Sequence, residues 1–156
     1  MATKFPPQRL LSHQSIPTMV HHYYLFLNQR LKDAHLVHLC NEAQKASQTT
    51  AIFTRSVSET QRVSRLLNTL KIGVVSLQSD LSPSARAASL DKLRRKECYA
   101  IVTTDVTAAG LDPIPQVDRI INFSLTWKMN PEIYTQRISN ISHVGNLGLA
   151  ITFVTQ

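Results

Sequence analysis

At 156 residues, with 43% apolar and 17% charged, the chain is long enough for one domain with a buried core and too apolar for a disordered one. A formal net charge of +7 and a pI near 9.8 favour a polyanionic partner, nucleic acid first. No apolar run reaches the roughly eighteen residues of a membrane span, and the N-terminal segment lacks a signal-peptide core, so an intracellular domain is expected.

Residues 1–18 carry Pro6, Pro7 and Pro17 among polar neighbours without periodicity and read as a linker or tail; the folded domain is placed at 19–156. Val20 to Phe26 is a β-rich run suited to an edge strand. Lys32 to Ala43 has apolar residues at 36, 39, 40 and 43, a helical period. Thr50 to Thr54 is a short buried strand, and Ser58-Glu-Thr opens a helix whose apolar face is Val63, Leu66, Leu67 and Leu70. Ile72 to Leu77 is another strand. Ser82 and Pro83 form an N-cap and first-turn pair for a helix through Ala85, Ala88 and Leu93. Tyr99 to Thr103, Val117 to Phe123 and Leu149 to Val154 complete the strands. Short apolar strands alternating with amphipathic helices predict a parallel sheet covered on both faces, an α/β three-layer sandwich.

Cys40 and Cys98 lie far apart on segments that read as buried and are expected as reduced, core-facing thiols. His35, His38 and Cys40 have a metal-like spacing but no fourth ligand, and the helical period places the two histidines on the flanks of an apolar face. No G-x-x-x-x-G-K-[ST] or G-x-G-x-x-G occurs, and the glycines at 73, 110, 145 and 148 make no phosphate loop. In a parallel sheet the working residues sit on loops at the carboxyl ends of strands. That rule selects Thr54-Arg-Ser, the segment from Thr103 to Asp112, and the Gln136 to Gly145 turn.

Two of these segments carry a family pattern. Thr104-Asp-Val-Thr-Ala-Ala-Gly-Leu-Asp112 resembles motif V of the DEAD-box RNA helicases, T-D-V-A-A-R-G-L-D. Tyr134 to Gly145 resembles motif VI, H-R-I-G-R-T-G-R-x-G. Ala51 to Thr54 looks like motif IV, and Leu77 to Arg86 looks like the family's L-H-G-x-x-x-Q-x-x-R element, of which Arg86 survives. The resemblance covers about residues 20 to 156 and implies a RecA-like C-terminal lobe. The segments from Lys32 to Leu39 and from Ala150 to Gln156 look closest to the nucleolar, ribosome-assembly branch.

The resemblance implies roles position by position. Thr54, Arg55, Arg86, Thr104, Asp105 and Gly110 fall where the family holds RNA by its backbone, and Asp112 and Arg137 where it meets ATP. Arg55 could alternatively face solvent. The catalytic positions are altered: Ala109 replaces the motif V arginine, and Gln136, Asn140 and His143 replace the histidine and later arginines of motif VI. An uncharged Asn140 and a mostly neutral His143 cannot reproduce guanidinium forks on a transferring phosphoryl group. An impaired catalytic half is therefore expected. ATP and Mg²⁺ are expected only through a separate N-terminal lobe, in cis or in trans, with RNA and a protein cofactor as further partners and no membrane. The alternative is a non-catalytic module that binds RNA or a protein.

The run Lys92, Arg94, Arg95, Lys96 admits two readings, a phosphate-tracking face shared with Arg86 or a solvated helix end favoured by the macrodipole. Trp127 and Tyr134 read as core or loop packing in preference to base-stacking platforms.

Overall fold

The computed structural model describes residues 2–4, 20–105, 114–125, 131–141 and 147–155. Among the described residues the strands are β1 (Ala2–Lys4), β2 (Val20–Leu27), β3 (Thr50–Phe53), β4 (Val74–Ser76), β5 (Ala100–Thr103), β6 (Arg119–Asn122) and β7 (Gly148–Thr155). The helices among the described residues are α1 (Lys32–Lys45), α2 (Val57–Thr69), α3 (Pro83–Arg94) and α4 (Pro131–Ile138), with a 3₁₀ turn at Gln29–Leu31.

One sheet of seven strands runs β1-β2-β7-β6-β3-β5-β4. Every pairing is parallel except β1 with β2. Successive strand residues point to opposite faces, and the two faces hold separate cores. On one, Leu36 and Cys40 of α1 and Val63 and Leu67 of α2 pack with Ile52, Val102, Ile121 and Phe153. On the other, Leu90 and Leu93 of α3 and Ile138 of α4 pack with Ala51, Ile101, Ile120 and Ala150. All four residues of β3 are buried, as a central strand covered on both sides requires. This is the expected RecA-like three-layer arrangement.

Local chemistry starts each helix. Ser82 Oγ accepts from Ala85 N and Pro83 occupies the first turn of α3, as the sequence predicts. For α2 the cap is Ser56, whose Oγ accepts from Glu59 N, so the helix begins earlier than the predicted Ser58. The run Ser56-Val-Ser-Glu59 fits a capping box, a legible signal that the apolar period alone passes over.

The structure corrects the reading elsewhere. Ala2–Lys4, expected in a linker, pairs antiparallel with Tyr23 to Leu25, so β2 is flanked on both sides and is not the edge. The predicted Ile72 to Leu77 strand shortens to Val74–Ser76. The predicted turn from Gln136 begins as helix: Gln136 and Arg137 lie in the last turn of α4, an element the periodicity did not reveal.

Candidate functional site

The carboxyl ends of β3, β5, β6 and β7 lie side by side, because all four strands run parallel and adjoin in the order β7-β6-β3-β5. Chain order reverses across β3: its successors β4 and β5 lie on one side, β6 and β7 on the other. In open α/β sheets such a reversal opens a crevice at the carboxyl edge. Here Arg55 and Glu59 follow β3, Ser124 and Leu125 follow β6, and Thr155 ends β7; with Gln29 and Lys32 they line a cleft of about 240 Å³.

Lys32 is buried, and its ammonium donates to Ser124 Oγ at 2.9 Å and sits 4.2 Å from the centre of the Phe123 ring. Desolvation by burial lowers its pKa, and the nearby Glu59 carboxylate opposes that shift. Ser124 Oγ in turn donates to Glu59 Oε1 at 2.9 Å, while Glu59 Oε2 accepts from Arg55 N at 3.0 Å. The Arg55 side chain is 67% exposed and stands 3.9 Å from Glu59. Arg55 is thus a cation at the cleft mouth, tethered loosely. Lys32, Glu59 and Ser124 were not singled out by sequence, because each sits at the start or end of a different element and only folding joins them.

A second network, centred on Arg137, lies on the opposite face of the sheet. Its side chain is 1% exposed. Nε donates to Asp105 Oδ1 at 2.6 Å, Nη2 to Asp105 Oδ2 at 2.8 Å, and Nη1 to Asn122 Oδ1 at 2.7 Å. Asn122 Nδ2 donates onward to Thr152 Oγ1 at 3.0 Å. The guanidinium carbon lies 4.7 Å from the centre of the Phe53 ring. This fork-on-carboxylate geometry joins α4 to the chain after β5 and to β6. Arg137, expected to meet ATP, is instead engaged inside the domain, and Asp105, expected at RNA, is its partner.

Thr54 is likewise corrected. It is fully buried, with Oγ1 2.6 Å from Thr60 Oγ1 and 3.2 Å from the Thr103 carbonyl oxygen, so it presents no hydroxyl to a phosphate. Thr104 is partly exposed just after β5, and Arg86 is partly exposed in the first turn of α3, both at the carboxyl edge. Tyr134 packs on His22, its hydroxyl 2.7 Å from Nδ1, in keeping with the packing reading. Cys40 and Cys98 are buried free thiols; burial pushes them up to about 12 and about 11.

The altered catalytic positions divide. Gln136 is exposed on α4. Asn140 Nδ2 donates to the Gln136 and Arg137 carbonyl oxygens, each at 3.1 Å, and so closes the carboxyl end of that helix. Its own carbonyl accepts from Val117 N at 2.9 Å. Ala109, Gly110, Asp112, His143, Gly145 and Trp127 lie outside the described residues. On the motif VI helix, the described side chains do not fit a triphosphate: Arg137 is engaged and buried, Gln136 is uncharged, and Asn140 caps the helix.

Comparison with known proteins settles the family. The helicase conserved C-terminal domain family matches residues 31–145. The chain belongs to that family. The lobe is 44% identical over 144 residues to "ATP-dependent rRNA helicase rrp3" of Aspergillus fumigatus, covering 92% of the chain and 29% of the relative. It is 45% identical over 133 residues to the Neurospora crassa protein "ATP-dependent rRNA helicase rrp-3", covering 85% of the chain and 25% of the relative. The chain thus spans under a third of the length of the curated relatives it matches. Among solved structures, it superposes with TM-score 0.78 on the Escherichia coli DEAD-box protein SrmB, at 24% identity over 88% of this chain and 78% of that one. The C-terminal domain of the DEAD-box protein Dbp5 follows with TM-score 0.77 and 24% identity, over 90% and 78%. A hypothetical ATP-dependent RNA helicase from Sulfolobus tokodaii gives 0.72 at 29% identity, over 88% and 38%. The helicase lobe therefore has the DEAD-box C-terminal fold as well as its family signature.

Proposed function

We propose that the chain acts as the C-terminal lobe of an ATP-dependent RNA helicase that holds RNA by its backbone and is impaired in ATP hydrolysis. Arg55, Arg86 and Thr104 at the carboxyl edge are the groups that would face phosphates. ATP and Mg²⁺ would bind through a separate N-terminal lobe. The named rRNA helicases among its relatives support ribosomal RNA as the substrate class and the nucleus or nucleolus as the place of action.

The observation that carries the impairment is at Asn140. Where the family's pattern has an arginine, this chain has an amide bonded to two carbonyls of its own helix. An arginine that neutralises a transferring phosphoryl group is worth about 10³ to 10⁵ in rate in well-studied nucleotide hydrolases. A short amide already engaged at the helix end supplies none of that charge. The same observation favours a second reading, a non-catalytic module that binds RNA or a protein partner.

The test pairs the chain with a competent N-terminal lobe and measures RNA-stimulated ATP hydrolysis. Near-background turnover is expected, rising when Asn140→Arg and His143→Arg are combined. Substantial turnover by the unsubstituted chain defeats the impaired reading.

A further inference from the structure

The sheet edge opposite the cleft has no part in the reading above. There α1, α2 and α3 end, and each ends in the same way. Ser47, Lys71 and Lys96 take left-handed backbone, with φ of 53°, 60° and 56°. After each, an amide reaches back to close the helix: Gln48 N to Ala43 O at 2.8 Å, Ile72 N to Leu67 O at 3.0 Å, Glu97 N to Lys92 O at 2.9 Å. Helices that end this way usually carry glycine at the left-handed position. None of these three does.

Hydrogen bonds gather the three ends into one surface. Lys96 Nζ donates to Ser47 O at 3.2 Å, Gly73 N donates to Gln44 Oε1 at 2.9 Å, and Gly73 O accepts from Tyr99 N at 2.9 Å. The surface is net cationic, with the exposed Glu97 as a carboxylate among its cations. Lys45, Lys71, Lys92, Arg94, Arg95 and Lys96 are all exposed. Lys45 pairs with Glu42 and Arg94 with Asp91. Among the described residues, Lys71, Lys92 and Arg95 have no ion-pair partner.

Helix ends attract some positive charge, since each carboxyl terminus carries about half a negative charge that fades within one turn. Lys45, Lys92 and Arg94, all within the last turns of α1 and α3, meet that need. Arg95 and Lys96 lie beyond α3, and Lys71 beyond α2. Lys71 and Lys96 also hold their charge at backbone positions that glycine would occupy without strain. A cation kept at a strained position points to use.

We propose that this helix-end edge is a second polyanion site, which grips the phosphate backbone of RNA without reading its sequence. It rests on the RNA-binding reading above but uses a different surface: Arg86, in the first turn of α3, is about 14 Å along the helix from Arg95. The two sites therefore engage separate stretches of RNA or opposite arms of a folded one. Lysines act there as point charges, and binding is driven by counterion release.

The experiment measures fluorescence polarisation of a labelled uridine homopolymer against the full chain between about 50 and about 200 mM salt. Lys92→Ala with Arg95→Ala is compared with the charge-matched control Arg30→Ala with Arg65→Ala and with the carboxyl-edge variant Arg55→Ala with Arg86→Ala. The helix-end variant is expected to lose about three- to tenfold in affinity at the lower salt, with a salt slope reduced by roughly 1.4, or about 0.7 per phosphate contact on single strands. The control should keep the wild-type slope. Lys71→Gly with Lys96→Gly is a second probe that relieves strain: it should raise the melting temperature while weakening RNA binding. Wild-type slopes in both helix-end variants, with binding abolished only in the carboxyl-edge variant, overturn this inference and leave the RNA-binding reading standing. Absence of RNA binding by the unsubstituted chain overturns both.

Discussion

Arg137 and Asp105 form a two-pronged pair, Nε to Oδ1 at 2.6 Å and Nη2 to Oδ2 at 2.8 Å, across 32 residues of sequence. Arg137 is almost wholly buried, while Asp105 is 23% exposed, so the pair locks the motif VI helix to the segment that starts motif V.

Removing Arg137 leaves the buried Asn122 Oδ1 and the partly exposed Asp105 carboxylate without their donor. Arg137→Ala should destabilise the domain by about 3–5 kcal/mol, measured as a shift in urea midpoint. Arg137→Lys should recover only part of this, because an ammonium cannot span both carboxylate oxygens and Asn122 Oδ1 together. Full stability in Arg137→Lys would show that charge alone matters and the fork does not.

Gly148 starts β7 where Ile141 presses on it. A Cβ built there lies 2.2 Å from Ile141 Cγ2 and 3.4 Å from Val20 Cγ2. Ile141 is fully buried. Gly148→Ala should cost about 1–3 kcal/mol through overpacking, and Ile141→Ala, which removes the Cγ2 that the new Cβ meets, should cost less in the Gly148→Ala background than in the wild type. Thermal denaturation of the single and double variants decides it; an unchanged melting temperature for Gly148→Ala would refute the close approach.

His22 is partly buried against Tyr134, and burial, then the adjacent His21, lowers its pKa below the ordinary value near 6.5. The folded state thus prefers the neutral ring, whose Nδ1 lies 2.7 Å from the Tyr134 hydroxyl oxygen. As pH falls through about 6.5 the unfolded chain takes up a proton that the folded chain resists, so stability declines and then levels once the folded ring is also protonated. Urea midpoints at about pH 7.5 and about pH 5.5 should fall for the wild type, with a smaller fall for His22→Gln. An equal fall in both proteins would place the titration elsewhere.

Ser47 occupies the left-handed end of α1 with φ of 53°, and its backbone carbonyl, not its side chain, accepts from Lys96. Ser47→Gly keeps that bond and removes the strain of a Cβ. It should stabilise the domain by about 0.5–1 kcal/mol, net of the greater freedom glycine gives the unfolded chain. Chemical denaturation provides the measurement, and a loss of stability would contradict it.

Much of the fold was legible because local rules agreed with one another. Four buried residues at Thr50–Phe53, the Ser82-Pro83 start and the spacing of Leu36, Cys40 and Ala43 each point to the element that forms. Legibility ended where an element has no strong period of its own. The helix Pro131–Ile138 is eight residues long and buries Thr135, Arg137 and Ile138, two of them polar, so no apolar stripe announces it. Ala2–Lys4 is too short to show alternation, and its pairing depends on β2 already standing in the sheet.

The site divides along the same line. By itself the sequence determined the order of β2 to β7 and of α1 to α3, the positive charge, and which arginines of motifs V and VI are replaced by Ala109, Asn140 and His143, because these are properties of residue type and spacing. Only the tertiary structure decided which polar groups face outward. It turned Thr54 and Arg137 inward, gave Asn140 a helix to close, and separated Arg86 from the cations that follow α3. The physical reason is that a side chain's role is set by the partners that compete for it. Those partners, Asp105 for Arg137 and Thr60 for Thr54, reach it only when the sheet and its helices close around them.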